Sequence, residues 1–347
     1  MGHHPKLLGL DIGFGFTKCT DGERAVILLS TLQPWHGDPG DGRSLAEGNY
    51  RVALAGEAFV AGPEGHGVSL LTDLARRPAR LFDQYAQGLA LTAAALFSES
   101  ESPLHIVVGL PLAMVRRWQA RLEAGLLGFH MVELASAAEA PLRKHIHIRK
   151  VHIVPHPLGT FINLIMHHDG RRRESKDGER KIALIDVGFR TTDLMVMEAA
   201  RFCQRGSGTI QMGLADAWEA VARELGRQGA EVPDVAGLYR AIRMGRLRIG
   251  ERTYDVAAPR EKAYRRLAAA LADQINHRLR ADWDLGRLLL TGGAAAELAP
   301  VLAPLLDGEV DLIEHEQDVR LSNAQGHLRL ARHLWGRSGL CDRAVFI

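Results

Sequence analysis

Two short strings in this chain are versions of one device: Asp11-Ile12-Gly13-Phe14-Gly15-Phe16-Thr17-Lys18 and Asp186-Val187-Gly188-Phe189-Arg190-Thr191-Thr192-Asp193. Each follows an apolar run, Leu7 to Leu10 and Ile182 to Ile185, and each puts an Asp at the end of that run, then Gly, then hydroxyl residues, then more apolar residues. Apolar run, turn, apolar run predicts strand–turn–strand. Its recurrence at residues 7–18 and 182–193, the only internal repeat, predicts two similar domains facing each other. A glycine after a strand lets backbone N–H groups approach an anion with no side chain in the way. Gly13 and Gly15 suit that role, and Thr17 and Lys18 add a hydroxyl donor and a positive charge for a phosphate. A carboxylate so close to phosphates is repelled unless a cation lies between them. Asp11 and Asp186 therefore suggest a hydrated Mg²⁺ held through carboxylates and phosphates. Taken alone, either string is also explained as a plain β-turn, since Asp and Gly are common turn residues.

A length of 347 residues exceeds one typical core and suits two domains. The formal net charge of +2 gives no bulk electrostatic argument for nucleic acid. Cys19, Cys203 and Cys341 lie far apart, without ligand spacing, and their odd number argues against a disulfide framework. A reducing cytoplasm is the simplest compartment. No apolar run approaches the roughly 20 residues of a membrane helix, and the N-terminus lacks a signal-peptide pattern.

Along the chain, 6–12 and 24–29 read as strands. Residues 31–80 hold no recognisable motif, and within them 31–70, rich in Gly, Pro and Asp, read as a small insertion subdomain or long loops. Helices are expected over 81–97, 113–127, 158–166, 214–225, 261–280, 298–306 and 328–334, and strands over 104–108, 145–154, 194–197 and 288–290. The charged run 171–180 reads as a solvated hairpin tip. Residues 230–260 read as short helices and turns.

In the second string, bulky Phe189 and Arg190 follow Gly188, leaving fewer backbone donors than paired glycines would. Arg190 either adds charge toward phosphates or points to solvent. A third turn, Thr291-Gly292-Gly293-Ala294, joins a strand to a helix, and its glycines permit close approach of a flat or anionic ligand at a helix N-terminus.

With these three turns in this order, the chain resembles the actin-fold ATPase superfamily of actins, seventy-kilodalton chaperones and sugar kinases. Within it the chain looks most like the bacterial and archaeal actin-like proteins of the ParM/StbA type. Four strings carry that resemblance: Asp11 to Lys18; Val107-Val108-Gly109-Leu110-Pro111-Leu112; Asp186 to Asp193; and Ser322-Asn323-Ala324-Gln325-Gly326, similar to a segment before that family's last helix. The resemblance spans residues 7 to about 334.

It implies an α/β, ribonuclease H-like fold of two domains with a nucleotide cleft between them: 1–155 plus 320–347 as domain I, and 156–319 as domain II. It implies ATP (or GTP) with Mg²⁺. Gly13, Gly15, Phe16, Thr17 and Lys18, with Asp11, would meet the β- and γ-phosphates. Asp186, Gly188, Arg190, Thr191 and Thr192 would face them, Gly292, Gly293 and Ala294 would border the adenosine, and Gly206 and Gly208 would approach the nucleotide. Where relatives place a Gln or Glu that orients the attacking water, this chain has His156 between two prolines. His156 either takes over that work or only caps a helix or contacts solvent. The resemblance further implies nucleotide-dependent self-association into filaments. A plasmid-segregation role would need a DNA-bound adaptor protein, because the chain has no basic stripe of its own. A small-molecule kinase of the same fold and a non-polymerising nucleotide-binding scaffold are the alternatives.

Overall fold

A computed structural model describes residues 4–34, 50–54, 57–61, 78–99, 102–136, 139–232, 235–282, 284–313 and 318–336. The chain divides into two compact units, Met1–Gly178 with Arg320–Ile347, and Glu179–Val319. This division falls after residue 178, where 155 was expected from the sequence.

The first unit is built on a nine-stranded sheet. Strand β1 (Lys6–Ile12) pairs antiparallel with β2 (Phe16–Thr20), and β2 with β3 (Ala25–Leu29). On its other side β1 pairs parallel with β7 (Leu104–Leu110), and β7 parallel with β9 (Glu139–Pro155). Beyond β9 come β8 (Gly128–Ser136), β5 (Tyr50–Leu54), β6 (Glu57–Ala61) and β4 (Leu32–Pro34). The described parts of 31–70 are thus strands that extend the main sheet. The alternation of strand side chains sends Leu8, Leu10 and Ile12 into a core shared with helices α1 (Pro78–Phe97) and α2 (Leu112–Leu126). Gly9 faces the other way, where an added Cβ would collide with Ala324 and Leu328 of α8 (Ser322–Trp335).

Helix α8 lies on β1 and β7 and against α3 (His156–Ile165). The α3–α8 contact is backbone-close, because a Cβ on Gly326 would strike the Gly159 carbonyl. It is pinned by polar bonds: the Thr160 hydroxyl donates to Asn323 Oδ1 at 2.7 Å, and Arg329 donates to the Asn163 and Met166 carbonyls at 2.6 and 2.7 Å. The segment 322–326, expected ahead of the last helix, is therefore its first turn.

The second unit repeats the plan. Its five-stranded sheet runs β12 (Arg201–Ile210), β11 (Thr192–Glu198), β10 (Lys181–Val187), β15 (Arg287–Thr291), β16 (Val310–Leu312). Strand for strand, this is the order β3-β2-β1-β7-β9, with the same parallel and antiparallel pairings. Helices α4 (Leu214–Arg227), α5 (Val235–Met244), α6 (Ala257–Leu279) and α7 (Ala295–Leu302) share its core. Between α5 and α6 a hairpin, β13 (Arg246–Ile249) and β14 (Arg252–Asp255), stands where turns were expected. Residues 171–174 are exposed, as a solvated charged run should be.

Candidate functional site

Both Asp-x-Gly turns close in the same way. The Gly13 N–H donates to the Phe16 carbonyl at 3.1 Å, and the Gly188 N–H to the Thr191 carbonyl at 2.9 Å. A Cβ on Gly13 or Gly188 would sit 2.9 or 2.8 Å from those same carbonyl oxygens, so both positions demand glycine. Cross-strand register matches too, with Asp11 opposite Lys18 and Asp186 opposite Asp193.

In the first unit the Lys18 ammonium lies 2.7 Å from Asp11 Oδ2, and both side chains are buried. His156 opens α3, with Pro155 as its N-cap, and its Nε2 lies 3.1 Å from Asp11 Oδ1. That line is not an aligned hydrogen bond, so Oδ1 and Nε2 have no hydrogen-bond partner among the described residues. His156 is buried rather than solvent-facing. Burial pushes the Asp11 carboxyl up, but Lys18, with His156 and His327, outweighs it and holds the group below the usual carboxylate range.

His327, on α8, is the residue sequence reasoning missed. It is fully buried, with Nδ1 2.9 Å from the Leu10 carbonyl. Burial pushes its imidazole down to about 4, against the pull of Asp11, so at neutral pH the ring is uncharged and donates from Nδ1. The available signal was Gly109: glycine inside an apolar strand marks a close approach, and here a Cβ would collide with the His327 ring.

The structure does not bring every expected residue to the turns. Thr17 and Thr192 occupy equivalent positions, opposite Ile12 and Val187. Strand alternation turns both away from the Asp side, and both are fully buried. Thr17 shares a hydrogen bond with the Ser30 hydroxyl at 2.8 Å, and Thr192 donates to the Met212 carbonyl at 3.0 Å. Arg190 pairs with Glu219 of α4 at 2.9 Å. Gly15, Phe16 and Thr191 are half-buried at the turns, and the Arg320 guanidinium lies over the Phe16 ring at 5.4 Å.

The third turn abuts Asp186, which is registered with Thr291 in the parallel pair. Gly292 has φ of +97°, and a Cβ there would collide with Asp186 Oδ1. Ala294 is buried, its N–H bonded to the Val187 carbonyl at 3.0 Å, while Gly293 faces open space. Gly206 and Gly208 lie on β12, where their missing side chains admit Asp282 and Arg278 at the end of α6. Among the described residues, no group of three or more His, Cys, Asp or Glu is arranged to hold a metal ion by itself.

A family model described as the N-terminal domain of actin-like proteins matches residues 9–159, and one described as the C-terminal domain of an archaeal MreB-like actin homologue matches 184–303. The chain belongs to the actin-like proteins. Solved structures give the same fold over nearly its whole length. A non-polymerisable quadruple mutant of pCBH ParM is 18% identical at a TM-score of 0.75, covering 94% of this chain and 98% of that one. The archaeal actin homologue Ta0583, in complex with ADP, is 18% identical at 0.74 over 94% and 98%. A 15-stranded ParM filament from Clostridium botulinum is 17% identical at 0.74 over 96% and 99%. No curated protein matches the chain in sequence. No helix among the described residues is long and apolar enough to cross a membrane.

Proposed function

We propose that this actin-like chain binds ATP (or GTP) with Mg²⁺, hydrolyses it, and self-associates into filaments in a nucleotide-dependent way. The observation that carries the reading is the matched pair of turns: each couples a buried Asp to a glycine that closes a strand–turn–strand. Solved relatives include an ADP complex and a filament.

The residues present fit the nucleotide and its metal. Gly13 and Gly188 put no side chain at their own positions in the turns, which is what close backbone approach to a phosphate needs there. Hard carboxylate oxygens suit Mg²⁺, and Asp11 Oδ1 is a buried oxygen without a hydrogen-bond partner among the described residues. Asp11 and Asp186 are the candidates for the metal, Asp186 opposite Asp193 and Asp11 beside Lys18. Bound Mg²⁺ would neutralise phosphate charge during transfer to water. Lys18 keeps Asp11 ionised, His156 is the candidate to orient the water, and Gly292 and Gly293 leave room for the adenosine. A cytoplasmic segregation motor that reaches DNA through an adaptor protein is the cellular role that fits this chemistry.

Asp186→Ala tests the site. Phosphate release should fall at least a hundredfold while the circular dichroism spectrum and melting stay close to wild type. Near-normal release from that variant would remove Asp186 from the chemistry. Sedimentation of the wild type with and without ATP tests assembly, and equal pelleting in both would argue for a scaffold.

A further inference from the structure

We propose that His327 is a positioning residue that fixes Asp11 and His156 relative to each other. The inference rests on the hydrolysis reading above.

Asp11, Gly109 and Val154 lie side by side across β1, β7 and β9. Asp11 lies near the end of β1, and His156 follows directly after β9. The His327 ring rests over the middle of this row, in space that exists only because Gly109 has no Cβ. The same absent atom would lie 3.0 Å from His156 Cδ2, so both imidazoles crowd one point.

The ring also touches the chain on either side. Nδ1 donates to the carbonyl of Leu10, the residue before Asp11. On the other side it meets His156 through the point above Gly109 that both rings crowd. From above, Gly159 makes room for Nε2: a Cβ there would stand 2.6 Å from it. The helix carrying His327 cannot drift, because Asn323 and Arg329 bind it to α3. His327 is therefore a rigid spacer between two strand ends that each deliver one residue of the site.

A spacer needed only for packing would be better as Phe or Leu. His327 Nε2 has no hydrogen-bond partner among the described residues, and a buried unpaired polar atom is a liability. The donor on Nδ1 is what an apolar ring lacks, and it aims at the backbone that orients Asp11.

The test compares His327→Phe and His327→Gln with wild type, using ATP affinity from a fluorescent ATP analogue, turnover from phosphate release, and histidine-selective ¹⁵N spectra. Phe keeps the volume without the donor, and should lower kcat at least tenfold while changing the analogue Kd less than threefold. Gln can donate to the Leu10 carbonyl, and should recover kcat to within about threefold of wild type. In His327→Phe the His156 resonances should shift or broaden. Wild-type kcat in the Phe variant, with His156 resonances unmoved, would reduce His327 to packing. Should either variant fail to fold, wild-type spectra decide: His327 must appear as the neutral Nδ1–H tautomer, and an Nε2–H tautomer overturns the proposal. Wild type that binds no analogue would sink the hydrolysis reading alone, because the tautomer and the His156 resonances still report on positioning.

Discussion

Asp11 and Asp186 hold the same place in two sheets of the same strand order, but their cross-strand partners differ in sign. Lys18 faces one and Asp193 faces the other. Backbone alone reproduces the turn, down to the hydrogen bond that closes it and the glycine it demands. The side chains then give the two copies opposite electrostatics. The first carboxylate is compensated from within its own unit by Lys18, with His156 and His327 beside it. The second is surrounded differently: Asp193 Oδ1 accepts from Thr209 at 2.6 Å, and the Gly292 turn presses close. One plan thus yields a turn whose Asp faces a lysine and a turn whose Asp faces a second aspartate.

Removing the counter-charge is the hardest test of that contrast. Lys18→Met leaves Asp11 buried and uncompensated and should cost about 3–5 kcal/mol in urea denaturation. A loss under about 1 kcal/mol would mean that Asp11 does not depend on Lys18 for its counter-charge. Acid should act on the first unit next. Unfolded histidine titrates near 6.5, while His327 in the fold is pushed down to about 4. The unfolded chain therefore binds more protons between those values. This contribution is full above about 6.5 and is lost as pH falls toward 4, the loss reaching roughly 2 kcal/mol by pH 5. The histidines that burial holds down, His105, His152 and His327, all lie in the first unit. Hydrogen exchange at pH 5 against pH 7 should thus show the first unit loosening, and equal loosening of both would break the comparison. Arg190 stands where the first turn has Gly15. Its ion pair with Glu219 is partly exposed, so Arg190→Ala should cost less than about 1 kcal/mol in the same denaturation assay. A larger loss would make the second turn depend on a side chain that the first does without.

The turns were legible in the sequence because everything that makes them is local: an apolar run, an Asp, a glycine and the next run. The helices were legible for the same reason. The facing of Thr17 and Thr192 was not legible in the same way, because residues adjacent in a strand face opposite sides, and both hydroxyls turn from the Asp side. Strand β8 was invisible because Phe129 and Met131 are exposed, which removes the apolar–polar alternation that marks a strand. Strand β12 was hidden by its glycines and charges. His156 could be located by its place after a strand, but its burial against Asp11 could not. His327 lies 317 residues from the carbonyl it holds, and no local pattern announces such a partner.

Helix α8 belongs to the first unit but follows the whole of the second in the chain. During synthesis every residue of the second unit is joined before the helix that seats His327 over Gly109. Until then the face of β1 and β7 that this helix covers has no partner from it. The earliest-made turn thus waits on the last-made helix, and a chain truncated after residue 319 would lack the element that packs on β1 and β7.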